Sequence, residues 1–192
     1  MNGSPNEDGN TKYLLDKALD AAKAEGAKTE VIQVSDALAE LDEPYCTACS
    51  QPCVGACYGD TKLEEYHELL AKADGVIVGS PVYFGTVSGQ LKGFWDMTRS
   101  LRGEKSLLNT VGGALSVGAG RFGGQETTLK AIHDMMLVQG VIVVGDGDSE
   151  SDAGHQGAAG QMKSAEDENA QTRAEIIGRR VAKVAKATMD LR

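Results

Sequence analysis

Gly75-Val76-Ile77-Val78-Gly79-Ser80-Pro81-Val82-Tyr83-Phe84-Gly85 is the stretch that decides the fold. Its first five residues form an unbroken apolar run bounded by glycine. A strand that is wet on one face alternates apolar and polar residues, whereas a strand covered on both faces does not. The run therefore reads as a central parallel strand. Pro81 and Gly85 punctuate the loop that follows, and a helical pattern extends from about Gly89 to Arg99.

The same alternation continues in both directions. Upstream, Thr61 to Ala73 places Leu63, Tyr66, Leu69 and Leu70 on one helical face, with Asp60 as a candidate cap. Glu30 to Val34 is a short β-branched run, read as a strand. Thr11 to Glu25 has the helical period, through Leu14, Leu15, Ala18 and Ala22, and Gly26 stops it. Downstream come a strand at Thr110 to Val117, a glycine-rich loop, a helix at Glu126 to Val138 and a strand at Val141 to Val144. Asp146 to Lys163 is polar, glycine-rich and without period, hence a loop, and Glu166 to Met189 is the closing helix. Strands alternating with helices imply an α/β doubly wound parallel sheet, read as one domain over residues 1–192. In such sheets ligands sit beyond the carboxyl ends of the strands, so the loops that follow strands are the candidate site.

Composition narrows the function. A formal charge of −9 argues against nucleic acid and anionic membrane as partners, because both need a basic face. No apolar run is long enough to span a bilayer. The opening Met-Asn-Gly-Ser-Pro-Asn-Glu-Asp is polar and lacks an apolar signal region, so the chain reads as cytoplasmic.

Two loops are candidates for chemistry by residue type, although the first, taken alone, also reads as a simple capped turn. Asn2-Gly3-Ser4-Pro5 and Asp8-Gly9-Asn10-Thr11 lead directly into the first helix. Ser4, Asn10 and Thr11 offer short polar donors, and the helix start adds free N–H groups and a positive dipole end. A phosphate monoester needs these groups. The Gly-Lys-Ser/Thr ending of a triphosphate loop is lacking, so nucleotide triphosphate hydrolysis is not expected. The second loop, residues 42–60, holds all four cysteines: Cys46, Cys49, Cys53 and Cys57. Four thiols on one segment suit a cubane cluster or a zinc ion, and metal-free thiols are the third reading.

Three stretches together resemble a known family: Asn2-Gly3-Ser4-Pro5 with Gly9-Asn10-Thr11, Gly79-Ser80-Pro81-Val82-Tyr83-Phe84-Gly85-Thr86-Val87-Ser88-Gly89, and Gly118-Ala119-Gly120-Arg121-Phe122-Gly123-Gly124-Gln125-Glu126. They are similar to the three FMN-contacting segments of the NADPH-dependent FMN reductase family, in family order, and the nearest branch is the iron–sulfur flavoproteins. The resemblance implies a flavodoxin-like sheet of order 2-1-3-4-5 that binds FMN. Ser4, Asn10 and Thr11 would hold the phosphate. Pro81, Val82, Tyr83, Phe84 and Gly85 would line the ring, with Ser88 close by. Ser116, Gly118, Gly120, Gly123 and Gly124 would let backbone approach the cofactor. The cysteines would be metal ligands, of a [4Fe–4S] cluster in that branch, although their spacing departs from its usual pattern.

No catalytic side chain is expected, because the flavin carries the chemistry. The implied activity is an FMN-dependent oxidoreductase. It would move electrons between NAD(P)H or ferredoxin and a small acceptor such as quinone or oxygen species. The other readings are a non-catalytic electron carrier and a redox sensor. The resemblance further implies a homodimer or homotetramer. Arg121 would meet a nicotinamide phosphate or face solvent, and His155 is the one histidine placed to reach the flavin edge. The family also has an apolar first strand immediately before the phosphate loop, where this sequence has only Met1. The expectation is a truncated reading of a longer gene, or another segment filling the gap.

Overall fold

The computed structural model describes residues 1–192. In chain order the elements are α1 (Asn10–Ala24), α2 (Val34–Ala39), α3 (Lys62–Lys72), β1 (Gly75–Pro81), α4 (Gly89–Met97), α5 (Arg99–Glu104), β2 (Val111–Gly118), α6 (Gln125–Leu137), β3 (Ile142–Val143), β4 (Ala158–Gln161) and α7 (Glu168–Ala187). None of the helices is long and apolar enough to cross a membrane.

β1 and β2 run parallel over seven residue pairs, from Gly75 opposite Val111 to Pro81 opposite Val117. Alternate residues of β1 serve opposite faces. Val76 and Val78 join a core with Leu63, Leu70, Phe94 and Ile132, whereas Ile77 joins one with Leu14, Leu115, Ile177 and Val181. Both faces are therefore apolar, which is why the sequence shows no alternation. On the second face α1 and α7 pack so closely that a Cβ on Gly178 would stand 1.9 Å from the Ala18 carbonyl oxygen.

On the far side of β1, Asn2 bridges in parallel to both Gly79 and Gln33. The spatial order is Gln33, Asn2, β1, β2, then β3 and β4, which is the flavodoxin-like order 2-1-3-4-5. The first-strand position is thus occupied at its carboxyl end by Met1 to Gly3. Beside it, towards the start of β1, lies a cavity of about 680 Å³ lined by Leu19, Ala22, Ile32, Leu70, Ile77 and Val181, among others.

Two sequence expectations are corrected. Glu30 to Val34 is not a strand: only Gln33 pairs, and Val34 already opens α2. A strand is sustained by its ladder partner, and Asn2 is all that faces this run. Conversely, the expected loop at 146–163 contains β4, which pairs with Leu115 to Gly118. β3 pairs with Val111 and Gly112 at the other end of β2. The last strand position is thus shared by two short segments with a loop between them.

Candidate functional site

At the carboxyl ends of the strands, side chains stitch the loops together. The Asn2 amide donates to Gln33 Oε1 (2.6 Å), and its own Oδ1 accepts from the Ser4 N–H (3.1 Å). Gln33 donates in turn to the Ser4 carbonyl (2.8 Å). The Ser4 hydroxyl accepts from the Asn6 N–H (3.1 Å), which leaves its proton free to donate outward. The loop is thereby shaped without any ligand.

This loop ends at α1, whose N-cap is Gly9. No side chain caps the helix, and its first turn contains no acidic residue. The first intrahelical bond is from the Tyr13 N–H to the Gly9 carbonyl. The N–H groups of Asn10, Thr11 and Lys12 are therefore open to an anion. Thr11 is buried in that turn, with its methyl carbon against Gly79. Asn10 has a second task, because its Oδ1 accepts from the Ser164 N–H (2.8 Å). The segment after β4 is thereby drawn against the phosphate loop, a neighbour that was invisible in the sequence.

The second loop is a tight hairpin. The Tyr83 N–H donates to the Thr86 carbonyl (2.9 Å), and the Thr86 N–H returns to Tyr83 (3.2 Å). Phe84 and Gly85 form its tip with φ of 50° and 83°. The Phe84 ring is fully exposed and Tyr83 is 43% exposed, so two aromatic faces stand free where a planar ring would lie. Pro81 closes β1, and the Val82 N–H donates to the Val117 carbonyl (2.9 Å), which fixes the hairpin to the sheet.

Ser88 and Ser116, expected near the cofactor, are both fully buried, and their hydroxyls are engaged within the protein. Ser88 caps α4 by accepting from the Leu91 N–H (3.1 Å) and donates to the Gly3 carbonyl. Ser116 donates to the Gln125 carbonyl (3.0 Å). Each positions a loop.

The glycine-rich third loop is organised by Gln125, a residue the sequence reading passed over as a helix start. Only 5% exposed, it accepts from the Gly123 N–H (2.8 Å) and donates to the Gly120 (2.7 Å) and Gly160 (3.1 Å) carbonyls. A Cβ on Gly118 would stand 2.5 Å from its Nε2. Thr127 joins this loop to the hairpin by donating to the carbonyls of Gly85 (2.9 Å) and Gly124 (2.8 Å). Arg121 lies over the exposed Phe122 ring, 5.7 Å from its centroid.

These features fit FMN: an uncapped helix start with an available Ser4 proton for phosphate, exposed aromatic faces, and bare backbone at Gly120. His155 is engaged elsewhere, its N–H and imidazole both directed to the buried Asp146, which Arg173 also faces at 3.6 Å.

The cysteine loop lies against α4, with the Pro44 carbonyl oxygen 2.7 Å from where a Gly93 Cβ would be. All four thiols are free: Cys46 and Cys53 are half-buried, Cys49 and Cys57 exposed. The Ala48 N–H donates to Cys46 Sγ (3.4 Å), and the Arg99 guanidinium reaches the same sulfur (3.9 Å) and Gln51 (2.8 Å). The Cys57 thiol is pushed up by partial burial and then by Cys49, with Cys53 and Cys46 adding to it. The four sulfurs share one electrostatic neighbourhood, yet no three stand together as a ligand set. The donor chemistry suits a cluster in number and kind.

Comparison with known proteins gives the family and the fold. The family model for NADPH-dependent FMN reductase matches residues 1–156. An iron–sulfur flavoprotein of Methanocaldococcus jannaschii is 42% identical over 190 residues, covering 97% of this chain and 95% of that protein. An NAD(P)H dehydrogenase (quinone) of Chromohalobacter salexigens is 43% identical over 77 residues, 40% of this chain and 38% of that protein. Among solved structures, a flavodoxin from the domain Archaea superposes with a TM-score of 0.59 over 93% of this chain and 92% of its own, at 16% identity.

Proposed function

The chain belongs to the NADPH-dependent FMN reductase family and is an FMN-dependent oxidoreductase, and from that premise we infer that it exchanges electron pairs with a nicotinamide and single electrons with a carrier or small acceptor. The observation that supports this reading is that the phosphate loop and the cysteine loop both pack on α4. Ser88 at its start holds the phosphate loop, and Gly93 in its middle receives the cysteine loop.

FMN, when bound, supplies the interchange between electron pairs and single electrons. The protein's own groups position it. The open N–H groups of α1 and the Ser4 hydroxyl hold the phosphate by neutral donors and the helix dipole. Tyr83 and Phe84 offer their faces to the ring, and Gln125 holds the Gly118–Gly124 backbone in the shape that admits it. Arg121, the cation of that loop, would meet the phosphate of a nicotinamide donor.

Cys46, Cys49, Cys53 and Cys57 would hold a [4Fe–4S] cluster, which passes electrons one at a time. The likeness to the iron–sulfur flavoprotein of Methanocaldococcus jannaschii supports this. So do the amide and guanidinium donors at Cys46, since hydrogen bonds to sulfur tune such clusters. Phe84 and Phe122, bare at the mouth of the site, support assembly as a homodimer or homotetramer in which a second subunit covers them.

Rapid anaerobic mixing with NADPH tests the reading. The flavin absorbance is expected to bleach within the turnover time and to recover on adding a quinone or oxidised ferredoxin. Flavin that NADPH leaves oxidised, while reduced ferredoxin bleaches it, would replace the reductase by a carrier.

A further inference from the structure

Between α2 and α3 the chain forms no helix or strand, so the four thiols ride on a segment with no ladder of its own. Such a segment is held in place by its side chains. Tyr58 is the one fully buried residue of 42–60, at 6% exposure, although it directly follows the exposed Cys57. Its ring lies edge-on to His67, with centroids 4.8 Å apart, and His67 lies likewise against Phe94 of α4 at 5.6 Å. Both His67 nitrogens lack a hydrogen-bond partner, so this contact grips the ring without engaging the phenol oxygen. That oxygen shares a hydrogen bond with the Ser100 hydroxyl of α5 (2.5 Å).

The backbone folds around this side chain in both directions. Upstream, the Tyr58 N–H donates to the Gly55 carbonyl (3.1 Å), closing a turn that carries Cys57. Gly55, at φ +70°, lies so close to the phenol that a Cβ there would stand 2.8 Å from its oxygen. Glycine alone meets both demands. Downstream, the Tyr58 carbonyl accepts from the Thr61 hydroxyl (2.6 Å), which ties it to the start of α3. The far end of the loop is held by the residue before Ser100: Arg99 reaches Cys46 Sγ (3.9 Å) and Gln51 (2.8 Å). Consecutive residues of α5 thus serve the first and the last thiol, and Cys49 and Cys53 lie on the stretch between.

We propose that Tyr58 and Ser100 are the positioning pair of the cysteine centre: their hydrogen bond fixes the Cys57 end of the loop, and the other thiolates close on the metal against it. The inference rests on the reading of the four cysteines as a ligand set. A thiolate already held in place loses less conformational freedom when a metal binds, so the pair raises affinity without touching the ion. Loss of the phenol oxygen leaves the ring, its packing on His67 and the Gly55 turn intact. Fold and thiolate placement can therefore be separated.

Cobalt(II) is the probe, because its thiolate charge-transfer bands report how many sulfurs bind, and its ligand-field bands lie clear of flavin absorption. The full chain, freed of iron and kept reduced, is titrated anaerobically with Co(II). Tyr58→Phe and Ser100→Ala should each bind about tenfold more weakly than the unsubstituted chain, with lower charge-transfer intensity as Cys57 drops out. The double variant should be no weaker than either single one, since both remove the same bond. Ser100→Thr, which keeps the hydroxyl, should restore binding. Without metal, Tyr58→Phe should lose no more than roughly 4 °C in Tm. Single variants with unchanged Co(II) affinity and intensity would overturn the proposal, as would additive losses in the double variant. An unsubstituted chain that develops no thiolate bands would overturn the ligand set itself and the positioning pair with it, so the two failures are told apart.

Discussion

The Ser88 hydroxyl donates to the Gly3 carbonyl while accepting from the Leu91 N–H, so one buried group both caps α4 and holds the phosphate loop. Loss of a serine cap costs about 1 kcal/mol, and an unpaired buried carbonyl costs about 1–3 kcal/mol. Ser88→Ala should therefore lose roughly 2–3 kcal/mol in urea unfolding and weaken FMN binding by an order of magnitude. Unchanged affinity in a destabilised but folded variant would confine Ser88 to capping.

Glycines in the third loop separate strain from ligand contact. At Gly124, φ is +94° and a Cβ would press on Val82 and Gly85 at 3.2 and 3.3 Å, so Gly124→Ala should lower both Tm and FMN affinity. Gly120 has no atom within 4 Å of its Cβ position and no positive φ. Gly120→Ala should leave Tm unchanged yet weaken FMN, because the added methyl would meet only the cofactor. Calorimetry beside flavin titration reads both effects, and intact affinity would move the flavin away from this backbone.

Gln125→Leu keeps the bulk but removes three hydrogen bonds from the loop. The unpaired carbonyl of buried Gly160 should cost about 1–3 kcal/mol, whereas that of exposed Gly120 can turn to water. Flavin binding should fall further than in Gly120→Ala, and a variant that binds FMN normally would show that the loop shapes itself without this side chain.

Stability should depend on pH through a buried base. Burial pulls the His67 imidazole from 6.5 to about 4. His67 has no hydrogen-bond partner and lies edge-on to Tyr58 and Phe94. The unfolded chain therefore takes up this proton at a higher pH than the folded one. Its contribution to stability is complete above pH 6.5 and falls by about 3 kcal/mol between 6.5 and 4. Urea midpoints that stay flat from about pH 7 to 4 would contradict the buried imidazole.

Cys49→Ser should remove iron and the broad visible shoulder from anaerobically prepared protein while leaving one FMN per chain. Iron retained at the full level after this substitution would exclude Cys49 from the ligand set.

The legible parts of the fold were those with a private signal. Gly75 to Gly79 showed its two buried faces as an unbroken apolar run, and Leu14, Leu15, Ala18 and Ala22 gave α1 its period. The run at 30–34 misled because its β-branched residues report a preference that only a partner strand can satisfy, and Asn2 alone faces it. Ala158-Ala-Gly-Gln161 carries no strand preference, and the open edge of β2 makes it one. In the site, the glycines and aromatics stood out by type. Ser88, Ser116 and Gln125 look like any polar residues, and only their burial and hydrogen bonds reveal that they position loops.

The central claim is that neutral donors around the start of α1 hold a phosphorylated flavin. Titrating flavin-free protein with FMN and riboflavin in parallel isolates the phosphate. FMN fluorescence should quench to an end point at one equivalent, with riboflavin bound at least tenfold more weakly. Equal affinity for the two, or no quenching by either, would contradict it.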